Sequence, residues 1–140
     1  MLNFAEFYAL MPPDNATAVA PDEDVLFPRD GAASGDGIAR SGPGAFTLAE
    51  PGVYQVLFVV TTNQSAQLVL TLNGEALPWT VVGRNSGGSQ VTGMALVVTE
   101  EEDAVLTVRN PAENPPALII TPDAGGTQPV SAHLIILQLR

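Results

Sequence analysis

The chain has 140 residues and a net charge of −10, and it contains neither cysteine nor lysine. These facts exclude disulfides, thiolate metal sites, cysteine nucleophiles and Schiff-base lysines. With 15 acidic against 5 basic residues, the chain has no basic surface for nucleic acid. A chain of this length fits one unit, so residues 1–140 are expected to form a single domain.

The composition also predicts a partner surface. Charged residues make up 14% of the chain and hydrophobic residues 46%, whereas about 25% charged residues is usual. The apolar run Val56–Val60 is far shorter than the ~20 residues of a membrane helix, so no membrane insertion is expected. The first 28 residues lack the basic and apolar segments of a signal peptide, so any export signal would belong to a longer parent chain. Another protein surface is therefore expected to cover the excess apolar area.

Short β-rich segments alternate with Gly, Pro and Asn turns along the whole chain. Twelve prolines and 13 glycines interrupt the sequence too often for an amphipathic helix. The pattern predicts an all-β, antiparallel sandwich of about ten strands. In chain order the predicted strands are Phe4–Met11, Asp24–Phe27, Ile38–Arg40, Ala45–Leu48, Val53–Thr62, Gln67–Leu72, Trp79–Val82, Gln90–Thr99, Ala104–Arg109, Ala117–Thr121 and Ala132–Leu139.

Two of these strands are apolar on both faces, namely Val53–Thr62 and the part of the last strand that spans Leu134–Leu137. Gln67–Leu72 and Ala45–Leu48 alternate instead, and each is expected to have one wet face. Only one face of a strand meets the core of an antiparallel sandwich, so a second apolar face needs a second cover. A loop of the same chain is one candidate. A second copy of the chain is favoured, because the loops are small and polar and no helix is predicted.

Few residues carry catalytic or metal-binding chemistry. His133, the single histidine, lies in a predicted strand without nearby partners, which favours a packed or axis-lining role over catalysis or metal binding. Glu100–Asp103 offers oxygen ligands for Ca²⁺, but four consecutive acids in a turn usually point into water. Trp79 is either a ligand platform or, as favoured, a lid on the sandwich. The sequence therefore predicts no enzyme, no cofactor and no metal site.

Several segments resemble known proteins. Gly52–Phe58 resembles the Gly-x-Tyr-x-Phe strand of tumour-necrosis-factor and complement-q-type jelly rolls, and Ser131–Ile136 resembles their closing strand. The whole chain is similar to the C-terminal domain of bacterial collagen-like surface proteins, including the exosporium glycoproteins of spores. That similarity rests on residues 7–15, 70–74, 107–111 and 129–134.

The resemblance implies a jelly roll that forms a homotrimer and caps a collagen-like stalk of the same parent chain. It also implies an extracellular place on the spore exosporium or cell surface, where a host protein, a surface-layer protein or a glycan is a possible partner. This chain has no Gly-X-Y repeat, and Glu100–Asp103 stands where complement-type relatives often have a Gly-Asp turn. A carbohydrate- or receptor-binding trimeric jelly roll, as in an adhesin or phage fibre, is the alternative, and a hydrolase is a remote third.

The resemblance also divides the two apolar strands into an inner and an outer face. The positions expected in the core are Tyr54, Val56, Phe58, Leu134 and Ile136. The positions expected at the trimer interface are Val53, Gln55, Leu57, Val59, His133, Ile135, Leu137 and Leu139. The first strand is expected to pair with the last, which would place both chain ends at one pole.

Overall fold

The computed structural model describes residues 2–85, 89–113, 116–121 and 125–140. Within these ranges the chain forms eleven β-strands and a short 3-10 helix, η1, at Pro78–Thr80. A helix long and apolar enough to cross a lipid bilayer is not found among these residues. The strands are β1 (Phe4–Leu10), β2 (Arg29–Ala33), β3 (Ile38–Gly42), β4 (Ala45–Leu48), β5 (Gly52–Thr62), β6 (Ala66–Leu72), β7 (Glu75–Ala76), β8 (Val82–Arg84), β9 (Ser89–Thr99), β10 (Ala104–Arg109) and β11 (Val130–Gln138).

The strands form two antiparallel sheets that pack face to face. The five-stranded sheet has the order β2-β1-β11-β5-β9. The six-stranded sheet has the order β3-β4-β10-β6-β7, and β8 also pairs with β6. The longest ladder joins β5 to β9 without a register shift, from Gly52 opposite Thr99 to Thr62 opposite Ser89. The predicted all-β antiparallel sandwich is therefore confirmed.

The first and last strands lie side by side in the middle of the five-stranded sheet. β1 pairs with β11 from Phe4 opposite Leu137 onward. The Leu2 amide donates to the Gln138 carbonyl at 2.8 Å, and Asn3 Nδ2 donates to Gln138 Oε1 at 2.7 Å. Both chain ends therefore lie at one pole, as the sequence predicts.

The hydrophobic core lies between the sheets and consists of alternate residues of each strand. The Phe46 ring packs against Phe7 and Phe27, with ring centroids 4.6 and 6.0 Å apart. The Tyr54 hydroxyl donates to the Glu50 carbonyl at 2.6 Å, so this buried polar group is satisfied. Burial raises the pKa of Tyr54. All five positions expected in the core are buried: Tyr54, Val56, Phe58, Leu134 and Ile136.

Close packing in the core also dictates a glycine. Phe58 on β5 lies opposite Gly93 on β9, and a Cβ atom at Gly93 would overlap the Phe58 ring. The ring therefore occupies the volume that a side chain on β9 would need. This pair explains why β9 carries a glycine near its centre, although glycine weakens a strand interior.

The predicted strand Trp79–Val82 is wrong over most of its length. Residues Pro78–Thr80 form η1, and strand geometry resumes only at Val82 in β8. Pro78 has no backbone N–H to contribute to a ladder. The Thr80 hydroxyl instead accepts a hydrogen bond from the Leu70 amide of β6 at 2.9 Å. A side chain thus replaces the strand pairing that hydrophobicity predicted.

Two further predicted strands, Asp24–Phe27 and Ala117–Thr121, are extended but are not strands of a sheet. Each changes partner along its length: the Val25 amide donates to a β10 carbonyl, whereas the Phe27 amide donates to the Pro43 carbonyl. The second segment forms one isolated bridge to Val19 and another to the end of β5. The hydrophobic pattern predicted a strand in each segment. A strand in a ladder pairs with the same neighbour along its length, and these segments do not.

Two observed strands, β2 and β7, were not predicted, because neither has the β-branched or aromatic residues typical of strands. Two ion pairs hold β2. Arg29 Nε lies 2.6 Å from Asp14 Oδ2, and Arg40 Nε of β3 lies 3.0 Å from Asp30 Oδ1. The second pair joins the edge strands of the two sheets. Side-chain charge rather than strand propensity therefore places β2.

The expected wet face of β6 is also wrong. Val69 and Thr71 point away from the core, yet they are only 2% and 0% exposed. The Thr71 and Thr107 hydroxyls are hydrogen-bonded to each other there. The η1 segment and the loop after β10 lie over this face of the six-stranded sheet. The chain thus covers the part of this outer face around Val69 and Thr71 with its own loops, while Gln67 on the same face of β6 is exposed.

Asp14 gives the fold a specific acid sensitivity. Its nearly buried carboxylate accepts hydrogen bonds from Arg29 and from the Leu10 amide, at 2.6 and 2.8 Å. The hydrogen bond from Arg29 holds the pKa of Asp14 below its usual value, although burial opposes it. A lowered folded-state pKa means that the stabilisation is complete above the unfolded pKa, near 4, and is lost as pH falls through the folded pKa.

Asp14→Asn is therefore expected to lower the free energy of unfolding at neutral pH. It is also expected to flatten the decline in stability below about pH 4, since the titrating group is gone. Urea unfolding of both proteins at neutral and acidic pH measures this. Parallel declines in the two proteins would contradict the role given to Asp14.

Candidate assembly surface

The outer face of the five-stranded sheet carries the residues that alternate with the core along β1, β11, β5 and β9. We call this face the assembly surface. The pairing register aligns its side chains in rows that cross the sheet. Two adjacent rows are Phe4, Leu137, Gln55 and Leu96, then Glu6, Ile135, Leu57 and Met94.

Apolar side chains dominate this surface and remain uncovered in the isolated chain. Met94, Leu96 and Val98 on the edge strand β9 are 64%, 56% and 61% exposed. Phe4 on β1 and Leu139, directly after β11, are also exposed. Large contiguous apolar patches of this kind mark protein contacts rather than ordinary surface.

The structure places every position predicted for the trimer interface on the assembly surface. Gln55 donates from Nε2 to the Met94 sulfur at 3.3 Å, so the polar group is held within the sheet. A contact between subunits at these positions remains a prediction. The eight positions, all half-buried or exposed, are Val53, Gln55, Leu57, Val59, His133, Ile135, Leu137 and Leu139.

Sequence reasoning missed the β9 part of the assembly surface. The signal was nevertheless present, because Met94–Val98 is apolar at every position, as is the run in β5. Period-two alternation then requires one set to face out, and the structure shows that Met94, Leu96 and Val98 do so. Phe4 was missed because the charged Glu6 follows it on the same face of β1, and a single aromatic side chain there did not suggest an apolar surface.

His133 lies on the assembly surface beside Glu6, with Nδ1 3.5 Å from Glu6 Oε2. The two residues bridge β11 and β1, and Val59 lies opposite His133 on β5. Groups of three or more histidine, aspartate or glutamate side chains that could hold a metal are absent from the residues that the structure describes. This geometry suits a polar contact pair within an apolar surface.

The acidic turn Glu100–Asp103 connects β9 to β10, and all four residues are exposed. Asp103 adopts a left-handed conformation, with φ of 57°, and its amide donates to the Ala49 carbonyl at 3.1 Å. The backbone of the turn is thus tied to the sandwich while its carboxylates face water. The turn contributes negative charge at the rim of the sandwich.

The prediction that Trp79 is a lid on the sandwich is wrong. Its side chain is 68% exposed, whereas the neighbouring Thr80 is the buried member of η1. The prediction placed Trp79 in the interior because Trp79 is larger and more hydrophobic than Thr80. The hydrogen bond between Thr80 and the β6 backbone decides otherwise.

Comparison with known proteins identifies the fold. The sequence matches no family model and no curated protein. Among solved structures, the globular domain of zebrafish complement 1qA protein aligns with a TM-score of 0.67 and 16% identity over 99% of this chain and 98% of that one. Murine APRIL aligns with a TM-score of 0.68 and 15% identity over 98% of each chain. Eiger TNF from S. frugiperda aligns with a TM-score of 0.64 and 13% identity over 98% of this chain and 92% of that one.

The chain has the jelly-roll fold of the complement 1q and tumour-necrosis-factor type. Near-complete coverage of both chains in each comparison means that the likeness extends over the whole sandwich. The predicted fold class is therefore confirmed. At 13–16% identity the likeness concerns the fold alone.

A pair of neighbouring substitutions separates the assembly surface from the core. Leu57 lies between Ile135 and Met94 on the assembly surface, while Phe58 points into the core. Leu57→Arg is expected to abolish self-association, because it would bury an unpaired charge at every contact. Phe58→Ala is expected to lower the free energy of unfolding by about 3–5 kcal/mol through lost transfer energy and a cavity.

Mass by light scattering and stability by urea unfolding, at equal concentration, test both variants. Ser41→Arg, on an exposed position of β3, is the matched control for an added arginine and should leave the mass unchanged. An associated Leu57→Arg, or a Phe58→Ala variant that dissociates with full subunit stability, would show that the two faces are assigned wrongly.

Proposed function

We propose that this chain is a non-catalytic assembly domain that forms a homotrimer through the assembly surface. The observation that supports this most is the exposed apolar row of β9, formed by Met94, Leu96 and Val98. Full burial of one such side chain contributes about 1.5–3 kcal/mol. On the other sheet the outward residues Val69 and Thr71 are buried, so the large exposed apolar row is a feature of the assembly surface.

The layout of the assembly surface favours a ring. Its most exposed apolar residues lie on β9 at one edge of the sheet, whereas Phe4 and Leu139 lie toward the other side. Packing the β9 edge of one subunit against the β1 and β11 side of the next is a head-to-tail contact, and such contacts form a ring when the rotation between subunits closes. The jelly rolls that the sequence resembles trimerise about a three-fold axis, which favours three subunits.

We further propose that the trimer caps a collagen-like stalk on an extracellular bacterial surface, such as the spore exosporium or the cell surface. The neighbouring ends of the chain support this, because Leu2 and Asn3 are both bonded to Gln138. A preceding stalk would enter at that pole, beside the two strands at the centre of the assembly surface. The resemblance to bacterial collagen-like surface proteins is the reason for proposing a parent chain with a collagen-like stalk.

The purified domain is expected to have three times the 14.6 kDa mass of the chain at micromolar concentration. Burial of the apolar rows of three subunits is the reason for this expectation. Sedimentation equilibrium measures the mass directly. A monomer would contradict assembly, and a dimer would contradict three-fold closure.

Fusion of a Gly-Pro-Pro repeat to residue 1 tests the stalk. If the domain brings three chains into register, the fusion should raise the melting temperature of the triple helix. The trimer would hold the three repeats together at a high effective concentration. Circular dichroism follows the melting. The Leu57→Arg fusion serves as the control and should melt like the free repeat. Equal melting of the wild-type fusion and the free repeat would remove the stalk proposal while leaving the trimer untouched.

A further inference from the structure

The face opposite the assembly surface carries a cavity of about 200 Å³. Its floor is formed by Val69 of β6 and Arg109 of β10, which are paired across the ladder of the six-stranded sheet. Pro78 and Val81, from the η1 segment, line it on one side, and Pro111 lines it on the other. The cavity therefore combines apolar walls with three charged residues, Arg109, Asp22 and Glu113.

The charged end of the cavity offers hydrogen-bond donors and acceptors side by side. Arg109 Nε donates to Asp24 Oδ1 at 2.8 Å, and Arg109 Nη1 lies 3.7 Å from Asp22 Oδ1. Asp24 thereby fixes the guanidinium, which carries five N–H donors in total. Asp22 lines the cavity with an exposed carboxylate, and Glu113 adds a second one.

This combination selects a class of ligand. Asp24 already pairs with Arg109, so a phosphate would be repelled by Asp22 and Glu113. An ammonium group would use these two carboxylates but would leave the remaining N–H donors of Arg109 unused. Neighbouring hydroxyl groups are uncharged and can both donate and accept hydrogen bonds. They can therefore accept from a guanidinium and donate to the carboxylate beside it. A neutral polyhydroxylated ring fits the polar end best.

The apolar walls and the size of the cavity fit the same ligand. A cavity of roughly 150 Å³ accommodates benzene, so this one is large enough for a single substituted six-membered ring. Trp79 lies in the chain between the lining residues Pro78 and Val81, and it leaves 68% of its side chain in water. Its indole is not among the lining residues, so it is available to a ligand only where that ligand extends out of the cavity.

We propose that this cavity binds the terminal, uncharged pyranose ring of a glycan. The polar end takes two neighbouring hydroxyl groups, and the walls take the C–H face of the ring. The site does not depend on the trimer, since it lies on the other sheet. In a trimer three such sites would face outward and act together on a surface that displays many glycans.

The test uses a panel of methyl pyranosides, namely those of glucose, galactose, mannose and N-acetylglucosamine, in saturation-transfer-difference NMR. At least one is expected to bind wild type with millimolar affinity. Ala76→Trp, which places an indole at the wall of the cavity, should weaken that binding at least tenfold, and Trp79→Ala should weaken it less. Ala33→Trp, an exposed alanine on β2, is the matched control and should bind as wild type does.

Three outcomes would overturn the proposal. The first is the absence of signal from every pyranoside at millimolar concentration. The second is binding that persists in Ala76→Trp. The third is binding of arginine methyl ester in place of the pyranosides, which would mean that the carboxylates dominate the site. Sedimentation of each variant shows whether assembly is intact, so a failed glycan site is distinguished from a failed trimer.

Discussion

A two-sheet sandwich has four sheet faces, and its core covers only two of them. This constraint governs the rest of the molecule, because the chain is too apolar to leave both remaining faces in water. On the six-stranded sheet the chain meets the constraint with its own loops, which bury Val69 and Thr71. On the five-stranded sheet the loops that the structure describes leave Met94, Leu96 and Val98 of β9 exposed. The two outer faces therefore differ in kind, and the proposed assembly uses only one of them.

The sequence could predict features that depend on period-two alternation. Tyr54, Val56 and Phe58 are recognisable as core positions because they recur at every second residue of an unbroken strand. The fold class follows from many such strands separated by turn residues. The same signal identified one half of the assembly surface and, applied to Met94–Val98, would have identified the other half.

Features that depend on partners distant in the chain could not be predicted. Nothing in the local sequence shows that Phe27 and Val25 bond to different neighbours, or that the Thr80 hydroxyl replaces a strand. Strand β2 forms because Arg29 and Arg40 find carboxylates elsewhere in the fold. Hydrogen bonds and ion pairs of this kind are decided by tertiary position, and hydrophobicity does not report them.

Charge has two distinct tasks in this protein. Arg29, Arg40 and Arg109 pair with aspartates and tie loops or edge strands to the sandwich. The excess of carboxylates, such as those of Glu100–Asp103, lies at the surface and gives the chain its net charge of −10. Mutual repulsion of acidic surfaces opposes random association. In the proposed trimer this repulsion would direct contacts between copies toward the face where apolar rows replace the charges.

The bond between the two ends of the chain, through Asn3 and Gln138, has a topological consequence. A polypeptide that runs into this domain and out again returns to within a few ångströms of its starting point. The domain therefore adds almost no length to the path of a longer chain that contains it, and it would project to one side of that path. The same closeness allows the ends to be joined and the chain to be reopened at the exposed turn Glu100–Asp103, with every strand ladder kept intact.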